Sequence, residues 1–350
     1  MASQQEVNQP SPDPLLHPLS SAPPLTGPSA EPGEAEASFD RSAPAASAYL
    51  SPRQVFSPEG LEQLNQRSDL KGTLQLLYHL SILGTSGYLW LTHLQDPWIG
   101  IPALMAYGFS IAAMFAPLHE CVHRTAFANS RVNDIVAWLA GLLSLYNSTF
   151  YRRYHKWHHR YTRIPGKDPE LTDPTPNHLG EYLWQVSGIP WWMGKVQGHY
   201  RCAIGQMEDL PYIPATARSE VQRSVQLQLA CYGLAIGLSI YFHSFAFVLG
   251  WVLPLAIGQP ILRLILLAEH TGCTLDANPF TNTRTTLTWP PLRWLMWNMP
   301  FHAEHHFCPS LPFHALGQAH QQLRSQLQHV APGYTAVNLN IIQNLGHLPQ

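Results

Sequence analysis

Three segments of this chain gather histidine at the spacing of one helix face: HECVH (His119, His123), HKWHH (His155, His158, His159) and HAEHH (His302, His305, His306). Positions i, i+3 and i+4 project from the same side of an α-helix, so each segment can aim its imidazoles at one point. His270, in LLAEHTG, is a fourth contributor and stands where a long apolar run ends. A structural zinc holds four ligands, so nine nitrogen donors point to two metals with several positions each. Imidazole suits zinc, copper, iron and nickel; a redox-active pair beside a membrane points to iron, which activates dioxygen against an unactivated C–H bond. Two ferrous ions among neutral imidazoles keep four uncompensated charges, so carboxylates are expected behind the ligands to orient them. Glu120, Glu269 and Glu304 adjoin the histidines, Asp168 and Glu170 follow the second segment, and Asn298 is read as the holder of a water near a metal.

A single histidine pair at i, i+4 is ordinarily surface or core. Three such clusters, each at the mouth of an apolar run, read instead as metal ligands. His79, His93, His178, His199, His243, His314 and His320 show no grouping and read as structural. HECVH also matches HExxH, the zinc metalloprotease pattern in which the Glu activates water. That reading uses two histidines and leaves both HxxHH segments unexplained. A soluble di-iron carboxylate bundle needs paired ExxH motifs, and Glu120 with His123 supplies one. Non-catalytic metal transport would string histidines along a pathway within the spans. Arg263, inside an apolar run, is either a side chain reaching for the interface or the partner of a substrate carboxylate.

The elements that must position these residues are mostly apolar helices. Runs at about 74–94, 98–118, 224–243 and 246–268 each approach the ~20 residues a helix needs to cross ~30 Å of hydrocarbon. Pro254 and Pro260 fall in the last, where neighbouring groups can satisfy the freed carbonyls. If Ile135–Tyr151 also crossed, the first two histidine segments would lie on opposite faces, so it is expected to be re-entrant or interfacial. The Lys and Arg residues crowd the histidine side, which makes that face, with both termini, cytoplasmic. EYLWQVSGIPWWMGK suits an amphipathic segment at the headgroup level. Residues 1–52, rich in Pro, Ala, Ser and Glu, cannot bury enough apolar surface to order and read as a disordered tail. The membrane domain is expected at 53–330, with 331–350 a C-terminal tail. The fold class is therefore all-α and integral to the membrane: four transmembrane helices, a re-entrant or interfacial helix and a cytoplasmic histidine-rich cap.

Composition agrees. Only 12% of the residues are charged, 19 are histidine, and the net charge of -2 excludes a strongly basic nucleic-acid binder. Five scattered cysteines without a CxxC pair make neither a disulfide framework nor a thiolate metal site. The opening MASQQEVNQPSPDPLL lacks the basic and apolar regions of a signal peptide.

From about residue 74 to 320 the order of features is a helical hairpin, HxxxH, HxxHH, a second hairpin and a late HxxHH. This order resembles the membrane fatty acid desaturase and hydroxylase superfamily. HECVHRTAF, AEHTGC, NTRTT at 282–286 and NMPFHAEHHFCPSLPFHAL are most similar to its dihydrorhizobitoxine desaturase-like branch. The resemblance implies two irons held by His119, His123, His155, His158, His159, His270, His302, His305 and His306. It implies a membrane stem beneath a cytoplasmic cap, and dioxygen-dependent oxidation of a lipid or acyl substrate to an alkene or an alcohol. No HPGG-type haem motif or rubredoxin-like CxxC pair is present, so a separate electron donor, a ferredoxin or a cytochrome b5, is expected.

Overall fold

The computed structural model describes residues 50–349, which leaves nearly all of the expected 1–52 tail outside. The elements that matter to the site are α1 (Asp69–Thr92), α2 (Pro97–Ala112), α3 (Phe115–Val122), α4 (Ser130–Ser144), α5 (Ser148–Tyr161), α6 (Leu179–Val186), α7 (Ile189–Ala203), α8 (Ala215–Tyr241), α9 (Leu253–His270), α10 (His302–Phe307) and α11 (Tyr334–Gln343). Strand is confined, among the described residues, to a parallel two-residue pairing of β1 (Thr285–Thr286) with β2 (Val330–Ala331). Helix starts carry side-chain caps that satisfy the free first-turn amides: Ser68 for α1, Asp96 followed by Pro97 for α2, Asn129 for α4 and Asn147 for α5.

Three helical stretches are long and apolar enough to cross a membrane: Pro97–Val122, Ala215–Tyr241 and Val248–His270. The expected span at 74–94 falls on α1, whose length suffices but whose Gln75, His79, Ser81, Thr85 and Ser86 dilute its apolar character. Most of these groups are occupied: His79 Nε2 bonds the Ser110 carbonyl at 2.9 Å, Ser81 donates to Tyr78, Ser86 to Ile82 and Gln75 to the Trp294 carbonyl. At 15 residues, α4 is about 22 Å long, too short to cross.

The last stretch opens with a π-helical turn, Val248–Val252, and runs on through Pro260. Wider π turns disturb the usual i→i−4 bonding. Trp90 Nε1 donates to the Leu249 carbonyl and the Tyr107 hydroxyl to the Gly250 carbonyl, both at 2.8 Å. Further along, α9 meets α2 backbone to backbone: a Cβ on Gly258 would sit 1.9 Å from the Gly108 carbonyl oxygen. Small residues permit that approach between apolar helices.

Residues 331–349, the described part of the expected 331–350 tail, pack against the domain. Val337, Ile341 and Leu348 are buried with Tyr182 of α6 and Ala268 of α9. Asn338 accepts from the Tyr182 hydroxyl at 2.8 Å and donates to the Leu264 carbonyl at 3.1 Å. The i, i+4 pair Val337 and Ile341 gives α11 its apolar face, and the amide of Asn338 fixes it to α9. The domain therefore runs past residue 330.

Candidate metal centre

The first histidine segment ends α3, the second occupies the last turns of α5, the third is α10, and His270 ends α9. Left-handed residues turn the chain just after the first two: Arg124 at φ 59° and Arg163 at φ 61°. Such a conformation costs an L-residue about 1–2 kcal/mol. Arg124 is held there by a two-pronged contact with Asp134 at 3.1 and 2.8 Å, and the Arg163 amide donates to Asp168 at 2.7 Å.

All nine histidines meet in one cluster. His119, His123, His155, His159 and His305 offer nitrogens within 4.8 Å of one another, and His158, His270 and His306 form a second group. His302 joins the second: its Nε2 is 3.2 Å from that of His270 and 3.1 Å from that of His306. Nε2 of His159 lies 3.0 Å from Nε2 of both His155 and His305. Ring nitrogens about 2.1 Å from one ion would stand about 3 Å apart at right angles, which is the spacing seen. His119 and His123 Nε2, and His159, His302 and His305 Nδ1, are buried without a hydrogen-bond partner. Buried polar atoms are ordinarily paired, so the two orphaned Nε2 atoms, together with the Nε2 atoms that face one another, fit a bound cation; the three Nδ1 atoms lie on the other side of their rings. Burial, then neighbouring histidines, hold His155, His159, His302, His305 and His306 well below the usual imidazole range. Burial, then Arg152, takes His123 down to about 3. These rings are neutral at pH 7, the form that binds metal.

A family model described as fatty acid desaturase matches residues 96–338. The chain belongs to the fatty acid desaturase family. It is 31% identical to a Picosynechococcus sn-1 oleoyl-lipid 12-desaturase over 29% of this chain and 31% of that one. It is 25% identical to a chloroplastic omega-6 fatty acid desaturase of Brassica napus over 66% of this chain and 55% of the relative. It thus spans between a third and about half the length of these two relatives. A sphingolipid delta(4)-desaturase/C4-monooxygenase of Mus musculus is 27% identical over 56% of each chain.

Within this desaturase-family domain the carboxylates divide in a way the sequence did not indicate. Asp168 and Glu269 both approach box imidazoles, but from different sides: Asp168 Oδ1 is 2.9 Å from His158 Nδ1, behind the ring, whereas Glu269 Oε2 is 3.5 Å from His302 Nε2, the nitrogen that faces His270 and His306. Glu170 Oε2 is 3.5 Å from His158 Nε2. Glu120 and Glu304 touch none of the nine. Glu120 accepts from Thr125 at 2.5 Å and from the Phe313 amide at 2.9 Å; Glu304 accepts from His320 and Thr285, both at 2.5 Å. They tie the histidine helices to distant segments rather than orient imidazoles. Asn298 likewise donates its amide to the Phe313 carbonyl at 3.0 Å, beside a left-handed Trp297–Asn298 turn. His320, read as structural, is the partner of Glu304.

Burial resists the charge of Asp168, but the hydrogen bond and charge of His158 and two backbone amides outweigh it and hold the carboxyl below its usual range. For His158, burial is likewise outweighed, by Glu170 and Asp168, and its imidazole is raised. Burial pushes Glu170 up to about 6. Beside the cluster lies a cavity of about 640 Å³, walled by Phe115, Tyr151, Tyr154, Trp191 and Leu266 and reaching His119, His155, His158, His270 and His302.

Proposed function

We propose that this desaturase-type oxidoreductase is a membrane di-iron enzyme that introduces a double bond into an acyl chain held in the 640 Å³ cavity. The observation that carries the reading is the convergence of nine histidines, seven of them buried, into two adjoining groups at the cavity wall. His119, His123, His155, His159 and His305 would hold one iron, and His158, His270, His302 and His306 the other. When bound, the irons supply dioxygen-dependent oxidation of a C–H bond.

The chain's own groups set the rest. Asp168 fixes the His158 ring through Nδ1, and the Asn282 carbonyl, 3.1 Å from His270 Nδ1, fixes that ring. The aromatic walls exclude water and hold the reacting carbon against the cluster, an orienting role that proximity makes large. Four spans, with α1 as the fourth, would place both termini and every histidine segment on the cytoplasmic face. Electrons would arrive from a separate ferredoxin or cytochrome b5.

Hydroxylation is the second reading, favoured by the relative whose name joins desaturation to monooxygenation. The HExxH protease reading is disfavoured because Glu120 is engaged by Thr125 and Phe313 and is not free to activate water. Metal analysis and Mössbauer spectroscopy of iron-supplemented protein, with mass spectrometry of acyl products, test the proposal. About two coupled irons per chain and a new alkene are expected. A single retained zinc would overturn it, and an alcohol as sole product would favour the second reading.

A further inference from the structure

At the end of the cavity away from the imidazoles, three hydrogen-bond donors lack an acceptor. Lys195 Nζ stands 3.4 Å over the centre of the Tyr146 ring. Arg263 donates through Nη2 to the Tyr146 hydroxyl at 3.1 Å, while its Nε is buried without a partner. Trp191 Nε1 donates to the same hydroxyl at 3.0 Å. A phenolic oxygen that accepts twice has its own O–H left to donate. No carboxylate pairs with Lys195 or Arg263 among the described residues. Asp173 acts on Lys195, and Glu170 and Glu269 feel Arg263, only from a distance.

A half-buried ammonium, a guanidinium and a phenol that line one cavity are costly to leave without an acceptor. The missing group is an anion with two oxygens in a plane, which the guanidinium fork matches. A carboxylate brings one charge, and a phosphate brings up to two into a cavity already lined by Asp173, Glu170 and Glu269. Burial, then Arg263, pushes the Lys195 ammonium well below its ordinary range, and a bound anion opposes both effects.

Position fixes the substrate's reach. Arg263 and His270 are seven residues apart on α9, hence on one face and about 10 Å apart along the axis. Aromatic rings fill the interval: Tyr146 is 4.8 Å from Phe115, and Phe115 is 5.9 Å from His119.

We infer that Lys195, Arg263 and Tyr146 bind the free carboxylate of an unesterified substrate, which is oxidised about 10 Å from that group. The inference rests on the oxidase reading of the same cavity, and its test needs no turnover. Octanoate, methyl octanoate and octyl phosphate are titrated onto the full-length, iron-loaded protein in phosphatidylcholine nanodiscs without reductant, with partitioning into empty nanodiscs subtracted.

Octanoate is expected to bind at least about 10-fold more tightly than its ester, and no more weakly than octyl phosphate. Arg263→Gln and Lys195→Met should each weaken octanoate about 10-fold and leave the ester unaffected, with iron content unchanged; Arg263→Lys should retain part of the affinity. An ester that binds as tightly as the acid, or variants that bind octanoate like the parent, would overturn the inference. So would octyl phosphate binding much more tightly, which would assign the subsite to a phosphate. Loss of iron together with octanoate would show that these residues act through the metal centre, and also counts against it. Failure of the oxidase reading would appear separately, in the metal identity and the products.

Discussion

The group of His119, His123, His155, His159 and His305 and the group of His158, His270 and His306 adjoin each other, yet they are anchored differently. In the smaller group, which His302 joins, three of the four Nδ1 atoms have a partner outside the cluster: Asp168 for His158, the Asn282 carbonyl for His270 and the Thr162 hydroxyl for His306, while His302 Nδ1 has none. In the larger group only His155 reaches out, to the Tyr151 hydroxyl at 3.3 Å, and the remaining rings pack on one another. One half is oriented by surrounding groups before any ion arrives; the other has more donors and fewer constraints. Outer partners tighten metal binding, so the two ions should respond differently to the same perturbation.

The largest effect should come from the imidazoles themselves. His305→Ala and His158→Ala should each reduce turnover to background and lower iron from about two to about one per chain, with different Mössbauer subspectra surviving. Two irons in either variant would break the comparison. Asp168→Asn should cost about 10–100-fold in turnover or iron affinity while sparing the five-histidine ion, as read by iron content at limiting supply.

Acid should separate the groups more gently. The raised His158 binds a proton at higher pH than its neighbours, whose lowered values keep them neutral. Protons compete with metal for imidazole, so as pH falls the His158 group should release iron first. Simultaneous release, followed by iron content after equilibration across an acid series, would remove this distinction. Smallest is His243→Ala, at the exposed turn between α8 and the π-helical segment. It should change stability by no more than about 0.5 kcal/mol and leave turnover and both irons alone, as thermal melts and assay would show.

What could be read from the sequence was whatever a single helix encodes. Spacing within each histidine segment fixes a face, and the apolar runs of α2, α8 and α9 mark themselves by length. The pairings that sequence could not show are tertiary. Glu120 finds the Phe313 amide across 193 residues, and Glu304 takes His320, whose surroundings in LGQAHQQL carry no pattern. Lys195 gave no signal because only the fold of α7 against Tyr146 makes it a cavity residue. The segment after Val330 looked like a tail because its apolar face is one turn of Val337 and Ile341 completed by an asparagine.

That closing segment also has a meaning in time. β1, which precedes the third histidine segment, takes residues 330 and 331 as its strand partner, and the end of α9 that carries His270 packs against α11. A ribosome therefore emits every metal ligand before it emits the residues that hold the last of them in place. The end of α9 should stay less constrained until those residues dock, so the order of synthesis itself leaves an interval in which iron can enter before the support behind His270 is complete.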